Sequence, residues 1–202
     1  MDLTHLLMFR RFDEAIVVAK RMEELNPLSL NARTMAGWPL VFSGRYAEAM
    51  RKFQAVLELD PNHNIATHNL GQIYLVMGKY DEAIAAFKKA ITLYGKDAQW
   101  SKAFLGVAYA RAGETEHALE VIEEMKKSYS TRGNVSPSVI ALLYLGLGDK
   151  EEAMQWFNSA FDVRDPQLPG FIMQIDGLKL LPQELRDDPR FIAMMKNMGL
   201  QP

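Results

Sequence analysis

Between Asn64 and Asp97, apolar residues recur at intervals of three and four: Leu70, Ile73, Tyr74 and Met77, then Tyr80, Ala83, Ile84, Phe87 and Ile91. That spacing brings side chains to one face of an α-helix, so the stretch predicts two helices, each with a single apolar stripe. Gly78 falls between the runs and marks the turn. Gly71, Ala83 and Ala90 are small, which lets two helix axes approach, while Tyr74 and Phe87 fill the space between them. The expected unit is an antiparallel helix pair.

One pair cannot bury both of its apolar faces, so neighbours at the same period are required. One period upstream, Gly37, Leu40, Gly44, Tyr46, Ala49, Phe53 and an Asp60-Pro61 stop occupy the corresponding places. One period downstream, after an extra residue near Ala98, come Leu105, Gly106, Tyr109, Gly113, Ala118 and Ile122. A looser copy has Tyr144, Gly148, Ala153, Phe157 and Ala160, with Ala141 in place of the packing glycine.

With Leu70, Gly71, Tyr74, Gly78, Ala83, Phe87 and Ala90 in register, the chain resembles the tetratricopeptide repeat family, whose unit is about 34 residues. The resemblance implies an all-α fold, a right-handed superhelical solenoid of antiparallel helix pairs closed by a C-terminal capping helix. The expected division of one continuous domain is a half repeat over 1–29, repeats over 30–63, 64–97, 99–132 and 134–167, and a cap over 168–202.

The half repeat has Phe12-Asp13-Glu14-Ala15 as the start of a second helix and Asn26-Pro27 as its stop, leaving only Asp2 to Phe9 for the first. Solenoid ends normally carry a polar cap, so the chain is expected to belong to a longer protein. The face of Leu6, Leu7 and Phe9 is expected to be open and to pair with a second copy, giving a homodimer. Farther on, Val135-Ser136-Pro137, Leu147-Gly148-Asp149, Trp156-Phe157, Arg164-Asp165 and Asp188-Pro189-Arg190-Phe191 are similar to the C-terminal repeat regions of multidomain bacterial regulators. That similarity implies the sensor or scaffold half of such a protein, next to a winged-helix, nucleotidyl cyclase or kinase domain.

Local signals refine the elements. Pro39 follows Trp38 inside a first helix and removes a hydrogen bond to the Met35 carbonyl, which predicts a kink. The polar run from Lys126 to Pro137 reads as an inter-repeat loop, with Ser136 as N-cap and Pro137 at the first helical position. Leu168-Pro169-Gly170 reads as a break, and Asp188-Pro189 as the start of a final helix that ends at Gly199. Phe191, Met194, Met195 and Met198 share one side of that helix, as a cap requires.

Composition narrows the function. The chain has 23 basic and 25 acidic residues, a net charge of -2, so nucleic-acid binding is not expected. With no cysteine, disulfides and thiolate chemistry are excluded. No apolar run approaches the roughly 18 residues of a membrane span, and Met1-Asp2-Leu3-Thr4-His5 has no signal-peptide pattern, so no membrane insertion and a cytoplasmic location are expected. His5, His63, His68 and His117 are scattered, and no phosphate loop, nucleophile elbow or zinc-hydrolase motif is present. The chain is therefore read as a non-enzyme without cofactor or metal.

Two functions remain: a module that binds a peptide or partner domain on its concave surface, or an intramolecular regulatory or dimerisation scaffold for an attached effector. In the resembled family the inward face comes from first helices. Counting along them gives Asn31, Thr34, Trp38 and Phe42, then His68, Asn69 and Gln72, then Trp100, Phe104 and Arg111 as partner-binding candidates. Chaperone-binding members clamp a C-terminal carboxylate with Lys, Asn and Arg. Only Asn69 and Arg111 match such a clamp, so an apolar or aromatic-bearing peptide or helix, anchored near Trp38, Trp100 and Phe104, is the expected ligand.

Overall fold

The computed structural model describes residues 3–133 and 135–200, so the expected roles of Met1-Asp2, Asn134 and Gln201-Pro202 lie outside the described residues. The chain divides into two compact units, Met1–Tyr94 and Gly95–Pro202. Among the described residues both are built from helices alone.

The first unit holds α1 (Leu3–Met8), α2 (Phe12–Leu25), α3 (Leu30–Met35), α4 (Trp38–Phe42), α5 (Tyr46–Leu59), α6 (Asn64–Val76) and α7 (Tyr80–Tyr94). The predicted helix pairs appear where glycine meets phenylalanine. A Cβ added to Gly71 on α6 would lie 2.7 Å from the Phe87 ring of α7, and one added to Gly37 would lie 2.4 Å from Phe53 of α5. Both rings are fully buried. The glycine makes the room that the ring fills, and this is why the two residue types recur one period apart.

Pro39 does more than kink its helix. The first helix of this pair is split into α3 and α4, with Gly37 as the N-cap of α4. Gly37 N donates to Thr34 O at 3.0 Å, a three-residue closure, and Val41 N resumes the four-residue pattern to Gly37 O. The N-terminal expectation needs correction. Leu3, Leu6 and Leu7 are buried, because even a six-residue helix folds back on α2, and only Phe9 stays exposed. The open face that was to drive dimerisation is largely closed.

The second unit holds α8 (Gln99–Ala112), α9 (Thr115–Arg132), α10 (Pro137–Leu147), α11 (Lys150–Asp162), α12 (Leu168–Gly177), α13 (Gln183–Arg186) and α14 (Pro189–Asn197). Gly106 of α8 faces Leu143 of α10 and Val121 of α9, while Ala141 is buried at the fourth glycine place. Gly146 of α10 adds a close approach that the pattern did not flag: its Cβ would lie 3.0 Å from the Val107 Cα of α8.

Two expectations fail here. The run from Lys126 is not loop as far as Pro137, because α9 continues through it to Arg132 and ends at Gly133, at φ 61°. It contains no glycine or proline before Gly133, its Thr131 hydroxyl donates back to Lys127 O at 2.6 Å, and Tyr129 packs edge-on against Trp156 at 5.4 Å. Leu168-Pro169-Gly170 is not a break but the first turn of α12, where a proline lacks no needed hydrogen bond. Two caps are as expected, Ser136 accepting from Ser138 N and Asp188 from Arg190 N, and Asp149 also accepts from Glu152 N at the start of α11. Phe191, Met194 and Met195 of α14 are buried, with Phe191 edge-on to Phe157 of α11 at 5.7 Å. The Arg190 guanidinium donates to both carboxylate oxygens of Glu151 at 2.9 Å, tying α14 to α11.

Candidate functional site

In the first unit the candidate residues separate by depth. Asn31 is exposed, Trp38 keeps 37% of its surface and Phe42 is half-buried. Trp38 opens α4 directly after the break at Ala36-Gly37, so the interruption that Pro39 forces is what places the indole at the surface. Thr34 is closed off, its hydroxyl donating to Leu30 O at 2.8 Å.

The polar stripe of α6 is an internal layer. Ala66 N donates to His63 Nδ1 at 3.2 Å, which leaves the proton on Nε2, and Nε2 lies 3.3 Å from Asn31 Oδ1. His68 is buried edge-on to Phe87 at 5.6 Å and to Tyr94 at 6.5 Å, with its Nε2 3.1 Å from Gln72 Nε2. Burial disfavours the charged imidazolium and lowers the His68 pKa to about 4, so the ring is neutral at pH 7. Asn69 and Gln72 are buried beside it, and the Asn69 Nδ2 has no hydrogen-bond partner among the described residues. A neutral, enclosed layer of this kind offers no charge to a carboxylate.

In the second unit, Phe104 is fully buried, and Arg111 is exposed in the last turn of α8, where a cation suits the helix dipole. Trp100 is half-buried, because Phe171 of α12 packs on it at a ring-centroid distance of 4.9 Å. Phe171 also lies 6.4 Å from Phe157. The aromatic anchor read from the sequence is therefore covered by a helix that the sequence reading passed over. Its signal was available: Leu168, Phe171, Ile172 and Ile175 follow helical spacing, and all four are buried.

Among the described residues, no group of three His, Asp or Glu side chains could hold a metal ion. At the start of α9 the exposed His117 has its Nδ1 2.8 Å from the Glu114 carboxylate and its ring near Tyr109 of α8. No helix among the described residues is long and apolar enough to cross a membrane.

Helix pairs closed by a glycine on one helix and a large side chain on the next place this chain among repeat proteins that present surfaces to other proteins. Tetratricopeptide repeat models match residues 34–98 and 139–165, so the helix pairs there are tetratricopeptide repeats, and a PPR repeat model matches 107–129. The chain is 28% identical over 95 residues to a Hsp70-Hsp90 organising protein of Plasmodium falciparum. That match takes in 47% of this chain and 34% of the relative, so the chain spans about a third of the length of the protein it matches. Among solved structures it is similar to TTC0263, a thermophilic TPR protein of Thermus thermophilus, with a TM-score of 0.64 at 18% identity over 89% of this chain and 96% of that one. It is also similar to MamA, with a TM-score of 0.53 at 24% identity over 83% of this chain and 97% of that one. These likenesses concern the fold.

Proposed function

We infer that this chain is a protein–protein interaction module that takes an apolar or aromatic-bearing segment of a partner, with Trp38 and Phe42 as the anchor in the first unit. The observation that carries this reading is the half-exposed indole at the Pro39 break, in a unit where His68, Asn69 and Gln72 are buried and His68 is neutral. Aromatic side chains held at a rigid surface usually supply most of the energy of such contacts. A carboxylate-terminated chaperone tail fits less well. The resemblance gave only Asn69 and Arg111 as clamp residues, and Asn69 is buried. The finer assignment, to the sensor or scaffold half of a bacterial regulator, is supported by the run from Val135 to Leu200 alone.

The test is partner capture by the chain and by its Trp38→Ala form, with circular dichroism to confirm equal helicity. Capture should fall at least tenfold, while a peptide ending in acidic residues and a free carboxylate should bind neither form at micromolar concentration. Undiminished capture by Trp38→Ala, or micromolar binding of the acidic peptide, would refute the assignment.

A further inference from the structure

The second unit presents a ligand-like arrangement made entirely by its own chain. Trp100 was expected to hold an aromatic-bearing helix, and α12 is one: ten residues long, with Leu168, Phe171, Ile172 and Ile175 buried and Gly170 exposed. Its Phe171 lies on Trp100 of α8 and beside Phe157 of α11, so α12 spans from the last helix pair to the first helix of the pair before it. We propose that α12 is an intramolecular ligand, a strap that occupies the Trp100 anchor and must leave before a partner helix of similar pattern can bind there. This rests on the reading of first-helix faces as binding surfaces.

Two features suit a strap. The C-terminus of α12 closes through a non-glycine residue in the left-handed region, Lys179 at φ 56°, a conformation that L side chains rarely adopt. Leaving would relax it. A ten-residue helix is too short to persist alone in water, so release converts α12 to coil and a partner helix can take its place.

The experiment uses the full chain and a fluorescent synthetic peptide of residues 166–179. The unaltered chain should bind it at least tenfold more weakly than Phe171→Ala, whose strap has lost its anchor ring, and adding Trp100→Ala should abolish binding. Equal binding by the unaltered chain and Phe171→Ala, or binding that survives Trp100→Ala, would overturn the proposal, as would no binding to a folded Phe171→Ala form. Should Phe171→Ala fail to fold, hydrogen exchange on the unaltered chain decides. Amides of α12 exchanging at least tenfold faster than those of α11, by a local opening insensitive to denaturant, support the strap, and exchange of both only through global unfolding overturns it. Partner capture through Trp38 is scored separately, so intact capture with a failed strap leaves the module reading standing.

Discussion

Replacing Gly71 by Ala tests the packing rule that defines the helix pair. The added Cβ would meet three ring atoms of Phe87 at 2.7, 2.9 and 3.0 Å, closer than carbon atoms pack. The ring is fully buried and has His68 at 5.6 Å, so it has little room to swing aside. Overpacking of this kind costs about 1–3 kcal/mol, whereas Ala in a helix gains about 1 kcal/mol over Gly. A net loss of up to about 2 kcal/mol is expected, read as a lower midpoint of urea unfolding followed at 222 nm. Phe87→Leu alone should cost about 1–2 kcal/mol by leaving a void, yet much less in the Gly71→Ala background, where the smaller side chain relieves the clash. The resulting coupling should exceed about 0.5 kcal/mol, the limit within which independent sites add. Gly78→Ala is the control. At φ 74° with no atom within 4 Å it should lose stability through backbone strain and show no coupling to Phe87. A raised midpoint for Gly71→Ala, or a cycle that is additive, would refute the reasoning.

Phe191→Ala should destabilise the second unit by about 3–5 kcal/mol, because the ring is buried against Phe157; thermal unfolding that is unchanged would show that α14 is no cap. His68 is buried neutral with a pKa of about 4, below its unfolded value of 6.5, so the unfolded chain binds a proton that the folded chain refuses. Stability should therefore be level above about pH 6.5 and fall between 6.5 and 4 by up to about 3 kcal/mol, and the His68→Gln form should lose that slope if His68 is its source.

The helix pairs were legible because two constraints coincide in the sequence: the three-four spacing of apolar residues and the glycine–phenylalanine complement that repeats with the period. Where a pair departs from the complement, as at Gly106 facing Leu143 and Val121, the spacing alone still places the helices. The loss at α12 came from giving Pro169 and Gly170 their average meaning, although a helix tolerates proline in its first turn. The loss at α9 came from polarity, since Lys126 to Arg132 looks like loop until Tyr129 is seen against Trp156. Depth was the least legible property. His68, Asn69 and Gln72 count as inward-facing by position and polar by type, yet they are buried among themselves and against Phe87, as periodicity cannot tell a lined groove from a filled one. Trp38 escaped that ambiguity through Pro39, whose missing donor breaks the helix at a predictable place.

The most direct test of the interaction-module reading is site-specific photocrosslinking in the source cell, with a photoreactive phenylalanine at position 38 and, as control, at Gln54, an exposed residue of α5. A defined protein adduct at position 38 that is absent at position 54 and lost with Phe42→Ala is the predicted result. Adducts equal at the two positions, or none at position 38 with the protein folded, would contradict it.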